Sequence, residues 1–254
     1  MEYAIMLSVM AGLATGVGGM VVLMVPKIGN RSLGVSMGFA AGVMLTVALA
    51  DMLPHVTEEY QQWMTKGKAG IAAASLCVLG IVAALALQRL LPDPQLLLHG
   101  GQRCTDVAKT ALVVAVALAA HNLPEGMLTL LGGMENPAFG LRMALAVALH
   151  NIPEGIAVSV PMAYALHSKW KGAGWAFISG LAEPMGAILT LLVFRGVLNQ
   201  GIINGSIAFV AGIMSGVSAG ELLPGGMDSG GKNAAIIGFA LGCGVMLVGI
   251  SVLE

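Results

Sequence analysis

Histidine, asparagine, proline and glutamate recur in one order at two places in this chain, as HNLPEG at residues 121–126 and HNIPEG at residues 150–155. On a helix, residues four apart share a face, so His121 stacks with Glu125 and His150 with Glu154. Each pair aims an imidazole nitrogen and a carboxylate at one point. Asn122 and Asn151 add neutral carboxamide oxygens one position round each helix. Pro124 and Pro153 have no N–H and clash one turn back, which frees the carbonyls of Ala120 and Leu149. Glu183-Pro184 repeats the carboxylate-plus-proline device further along. Imidazole with carboxylate suits zinc, iron or manganese better than calcium or magnesium, which favour oxygen throughout. Three carboxylates, Glu125, Glu154 and Glu183, could also hold two ions side by side.

What makes this chemistry pressing is where it sits. The chain has 254 residues, 57% apolar and only 10% charged, with a mean hydropathy of +0.88. Ordinary soluble domains carry about 25% charged residues, so lipid is the natural solvent for most of this chain. A lone carboxylate at mid-membrane is costly, and no lysine or arginine lies at mid-span to neutralise these three. A divalent cation resolves that deficit. The formal net charge of −1 lacks the basic footprint of a nucleic-acid binder. Cys77, Cys104 and Cys243 are scattered without CxxC spacing, so neither a disulfide framework nor a thiolate zinc site is indicated.

The elements that must carry the cluster follow from length. A hydrocarbon core about 30 Å thick needs roughly 20 apolar residues per helix. That rule gives eight spans in one polytopic domain covering 1–254: 4–25, 33–53, 70–91, 107–131, 141–165, 172–195, 201–222 and 233–253. The runs are continuous, without apolar/polar alternation, so the fold class is an all-α integral membrane protein and not a barrel. MEYAIMLS has no basic region ahead of its apolar run, so that run reads as a retained span. The longest polar connections are 54–68 and 92–106. His55, His99 and His167 read as solvated loop residues, and Met44, mid-span, as a soft ligand candidate. Basic residues set the orientation. With the N-terminus outside, Lys27, Arg31, Arg89, Arg103, Lys109, Lys169, Lys171 and Lys232 are cytoplasmic, against Lys66, Lys68, Arg142 and Arg195 outside. Both termini are therefore expected to face out. Glycines four apart (Gly38 and Gly42; Gly212, Gly216 and Gly220; Gly238 and Gly242) predict tight helix packing.

An internal repeat is also legible. Shifting the chain by 170 residues aligns FAAGVMLTVALADMLP (39–54) with FVAGIMSGVSAGELLP (209–224), setting Asp51 opposite Glu221. On this topology spans 2 and 7 run in opposite directions, as do spans 4 and 5. Antiparallel copies are what inverted-repeat transporters place around a midplane site.

The paired hexapeptides, Glu183 on the next span and the eight-span count resemble the ZIP (Zrt/Irt-like protein) divalent metal transporter family. LATGVGG (13–19) and AAGVML (40–45) look most like its bacterial GufA-like branch. The resemblance implies inverted repeats relating spans 1–3 to 6–8 and span 4 to span 5. It also implies an elevator-type motion that carries metal into the cytoplasm from the bacterial inner membrane, often as a homodimer. By the resemblance His121, Asn122, Glu125, His150, Asn151, Glu154, Glu183 and Met44 are metal ligands. Asp51 marks the outer approach and Glu221 the inner exit. Family members with a histidine-rich loop between spans 3 and 4 use it to handle cytoplasmic metal, whereas here that loop is short and holds only His99. The expected cargo is Zn2+, with Fe2+, Mn2+, Co2+ and Cd2+ as alternatives, and no resident cofactor is expected. An intramembrane metal-dependent hydrolase could use the same groups, but there is no HExxH motif, and a structural metal protein would leave Asp51 and Glu221 unexplained.

Overall fold

The structure is a computed structural model, and it describes residues 1–90, 102–194 and 200–253. His99 and Arg195 lie outside the described residues. Eight helices are long and apolar enough to cross a membrane. Numbered in chain order, span 1 is Glu2–Met24, span 2 Asn30–Gln61, span 3 Lys66–Leu90, span 4 Gln102–Glu135 and span 5 Pro137–Ala165. Span 6 is built from Lys169–Gly180, Ala182–Leu189 and a wider π-helical turn, Thr190–Phe194. Span 7 joins Gln200–Val217, Ser218–Leu222 and Leu223–Gly230, and span 8 is Lys232–Leu253.

Two ends depart from the sequence reading. Span 2 does not stop at residue 53; it continues as Leu53–Gln61, with Val56 and Tyr60 buried four residues apart. The stretch 54–61 is polar enough to look like a loop, yet its one apolar face packs as a helix. Span 7 likewise runs past 222 to Gly230. His55 therefore sits on a helix and not in a loop, while His167 occupies a turn with φ of 50° after span 5.

The repeat reappears as a shared irregularity. Span 2 widens into a π-helical turn at Val47–Met52, and span 7 at Ser218–Leu222. In each, a leucine N–H reaches back five residues, Leu53 to Ala48 and Leu223 to Ser218. The cause is the same on both sides: Pro54 and Pro224 cannot donate and crowd the carbonyl one turn back, so the helix relaxes into a wider turn. Asp51 and Glu221 ride on these two turns.

Packing sorts the spans into two bundles, 1–4–5–6 and 2–3–7–8. Glycine does the sorting. A methyl at Gly126 would overlap the Glu183 carbonyl, and one at Gly155 the Thr15 carbonyl, so the last letter of each hexapeptide is where spans 4 and 5 press against spans 6 and 1. In the second bundle Gly38 and Gly42 meet the span 8 backbone, and Gly212 meets span 3 at Cys77. Among the described glycines, every one whose added methyl would strike backbone strikes it inside its own bundle. Between the bundles the contacts are chiefly span 2 with span 5 and span 4 with span 7.

Candidate metal centre

The two hexapeptides meet in the middle of the 1–4–5–6 bundle. His121, Asn122, Glu125, His150, Asn151, Glu154 and Glu183 are all buried, none more than 6% exposed. His121 Nε2 lies 3.2 Å from Glu125 Oε1 and 3.1 Å from Glu154 Oε1, so the first histidine addresses both motifs. His150 Nε2 reaches Glu125 Oε1 at 3.0 Å. Glu125 thus stands between two imidazoles whose ring centres are 6.4 Å apart. Pro124 and Pro153 both lie inside continuous helices, one residue ahead of the glutamates. Span 6 is instead broken at Leu181, so that Glu183 sits in the first turn of the second segment. Pro184 explains the break, because its ring crowds the Gly180 carbonyl one turn back.

The carboxamides hold the cluster to its neighbours. Asn151 Nδ2 donates to Glu183 Oε2 at 2.8 Å and to the Ala11 carbonyl at 2.9 Å, while Asn122 Nδ2 donates to the Ser179 carbonyl at 3.3 Å. With both amide nitrogens committed to protein, both Oδ1 atoms are left buried and unpartnered. So are Glu125 Oε2, Glu183 Oε1 and both Glu154 oxygens as hydrogen-bond acceptors. Buried acceptors without donors are expensive. Among the described residues, ion pairs to these glutamates come from imidazole alone.

A cation satisfies that set. Ligand atoms of His121, His150 and Glu154 all lie within 4.8 Å of one another. Two ligands about 2.1 Å from a tetrahedral zinc ion sit about 3.4 Å apart, so closing on an ion would draw these atoms in by no more than about 1.4 Å. Met44 is fully buried in the larger apolar core and takes no part in this bonded cluster.

The cluster is reached from one side. A cavity of about 660 Å³ runs from Glu125 and His150 to Asp51 and His55, walled by Leu128, Met134 and Asn204 among others. Asp51 and His55 are exposed at its mouth, on the face that carries the N-terminus. Towards the opposite face span 4 presents Leu118, Val114, Ala111 and Val107, each buried in apolar packing. Glu221 lies at that closed end, half-buried, where Thr110 Oγ1 donates to its Oε2 at 3.1 Å. Sequence reasoning named the seven residues that cluster here, and Asp51 and Glu221 outside the cluster. It missed Thr110 and Asn204 and misread His55; Asn204, a polar residue inside an apolar run, was the available signal.

Comparison with known proteins agrees with this architecture. Residues 97–249 match the family described as ZIP Zinc transporter. The proteins named Zinc transporter ZupT from Corynebacterium glutamicum and Chlorobium phaeovibrioides are 38% and 36% identical to the chain, over 98% of it in each case and over 98% and 97% of those proteins. The ZupT of Streptococcus mutans is 34% identical over 97% of the chain and 96% of that protein. The chain belongs to the ZIP family, a family of multi-pass membrane transporters and not of enzymes. The hydrolase reading is set aside accordingly.

Proposed function

We propose that this protein takes up divalent transition metal, zinc first, and carries it into the cytoplasm through the buried histidine–glutamate–asparagine cluster. One observation carries the reading: two copies of an imidazole–carboxylate pair, starved of donors, stand at the end of a cavity open to one face. The names of the relatives, zinc transporters, favour Zn2+ as cargo; Fe2+, Mn2+, Co2+ and Cd2+ suit the same donor set. Glu125, within 3.2 Å of one imidazole and 3.0 Å of the other, is the natural bridge for a binuclear site. All seven clustered residues serve as ligands in this proposal; Met44 of span 2, buried in the apolar core outside the cluster, does not.

Alternating access follows an elevator motion in which the 1–4–5–6 bundle slides against the 2–3–7–8 bundle. The division of backbone contacts supports it, since each bundle is zipped internally and meets the other through side chains. Asp51 receives the ion and Glu221 releases it. The excess of basic residues on the face opposite the N-terminus favours a bacterial inner-membrane protein with both termini outside. A homodimer belongs to the proposal as well, joined through spans 3 and 8, the two spans least covered by the rest of the chain. The test is zinc uptake into sealed proteoliposomes holding the purified chain. Saturable uptake is expected; a chain that binds zinc yet moves none above protein-free vesicles would sink the proposal.

A further inference from the structure

The end of the molecule opposite the N-terminus carries another cavity, of about 500 Å³, which shares no lining residue with the first. Its wall is Arg31 and Val35 at the start of span 2, the Gly230-Gly231 turn after span 7, and Lys232 and Ile237 on span 8. We propose that it binds the phosphate headgroup of an anionic glycerophospholipid, whose acyl chains leave past Val35 and Ile237. The binding is independent of the transport reading, whose cluster lies in the other bundle.

Glycine builds the site. A methyl on Gly230 would lie 2.4 Å from both the Asn30 carbonyl oxygen and the Gly34 Cα, so span 7 ends pressed backbone to backbone against the start of span 2. Gly231 then turns the chain with φ of 90°, a positive value that favours glycine. Span 8 begins at the next residue. Open space surrounds the point where a Gly231 Cβ would stand, so the turn leaves a hollow and does not fill it. The same turn sets Lys232 on that hollow with Arg31.

Charge says what fills it. Both cations are exposed, and among the described residues neither makes an ion pair. The wall holds no acid; Asp228, the acid nearest Lys232 in sequence, is exposed and lies outside it. Residues that only bias topology need no more than to lie on this face, whereas these two converge on one cavity. Basic pockets between membrane helices bind anionic headgroups.

The rim decides between a lipid and a soluble phosphate. Val35 is half-buried, Ile237 is 52% exposed, and Leu241, one turn further along span 8, is 55% exposed. That apolar edge leads from the cations toward the middle of the membrane, as an acyl chain requires. A zwitterionic headgroup fits less well, because its ammonium would meet Arg31 and Lys232. The lipid is therefore of the phosphatidylglycerol class, bridging spans 2 and 8 at the edge of the 2–3–7–8 bundle.

Native mass spectrometry tests this on the purified full-length chain, delipidated and then given phosphatidylglycerol or phosphatidylethanolamine. Wild type should retain phosphatidylglycerol, and hold it more tightly than phosphatidylethanolamine. A basic residue beside an anionic headgroup is worth about a fivefold change in affinity. Arg31→Gln and Lys232→Gln should therefore each weaken retention about fivefold, and Arg31→Lys should restore it. Lys171→Gln, exposed on the same face but outside the cavity, should leave binding unchanged. Millimolar inorganic phosphate should fail to displace the lipid. Equal retention of the two lipids, equal losses from Lys171→Gln and Lys232→Gln, or full displacement by inorganic phosphate would overturn the site. So would unchanged retention when Arg31→Gln and Lys232→Gln are combined.

Discussion

The two bundles are built from the same device and put to opposite uses. In both, glycines bring helix backbones into direct contact: Gly126 and Gly155 in the 1–4–5–6 bundle, Gly38 and Gly212 in the 2–3–7–8 bundle. In the first, that close approach surrounds seven polar side chains, two helix-interior prolines beside the glutamates and a broken span 6. In the second it surrounds apolar packing, and the irregularities are pushed out to the π turns bearing Asp51 and Glu221. Small residues set rigidity in both, but only one bundle spends that rigidity on holding buried charge. The proposed elevator motion would need the cluster's side chains on helices locked to each other, and spans 4, 5 and 6, which bear them, are locked in this way.

The largest expected effect breaks the comparison at its centre. Glu154→Ala and His121→Ala should each abolish most zinc uptake while membrane expression stays near wild type, because these side chains contribute acceptors and little apolar packing. Wild-type uptake by either purified mutant in proteoliposomes would remove the cluster from the pathway.

Next come paired glycine substitutions. Gly126→Ala and Gly38→Ala each force a methyl into a facing carbonyl, at about 1–3 kcal/mol of overpacking. Both should lower thermal stability in detergent. Gly126→Ala alone should also weaken Co2+ binding, since the carbonyl it displaces belongs to Glu183. Equal binding by the two would mean that the bundles are not mechanically distinct.

Smaller effects are expected at the two ends. Asp51→Ala should raise the external zinc concentration needed for half-maximal uptake several-fold, whereas Glu221→Ala should chiefly lower the maximal rate. Identical kinetic defects in oriented vesicles would deny the two carboxylates opposed roles.

The smallest effect sharpens the interface itself. Thr110 and Glu221 come from different bundles and share a hydrogen bond. Losing such a bond is worth about 1 kcal/mol, or about a fivefold shift in an equilibrium. Thr110→Val should therefore speed thiol labelling of Ser218→Cys about fivefold, in a background without the native cysteines. Unchanged labelling would mean that this bond does not hold the closed end shut.

Much of this was legible in the sequence, for definite reasons. Membrane spans announce themselves because lipid demands long apolar runs, and the site announced itself because histidine and glutamate have no ordinary business there. Other features were hidden because the signal lies in three dimensions. Val56 and Tyr60 form a buried helical face that the acidic stretch around them disguises, and with it the place of His55. Gly126 and Gly155 could be read as packing residues, but not which helix each would meet. Thr110 lies 111 positions from its partner Glu221, and nothing local to either residue hints at the bond.

One contact has a mechanical consequence. Span 1 carries none of the seven clustered residues, yet its Ala11 carbonyl accepts from Asn151, whose same nitrogen also holds Glu183 of span 6. A cation drawing on the Asn151 oxygen polarises the amide and makes its N–H groups stronger donors. Spans 1 and 6 are then pulled harder onto span 5. On the proposed transport reading the loaded bundle is a stiffer body than the empty one, so the cargo would set the compliance of what carries it, and backbone amides near Ala11 should exchange hydrogen more slowly whenever an ion is aboard.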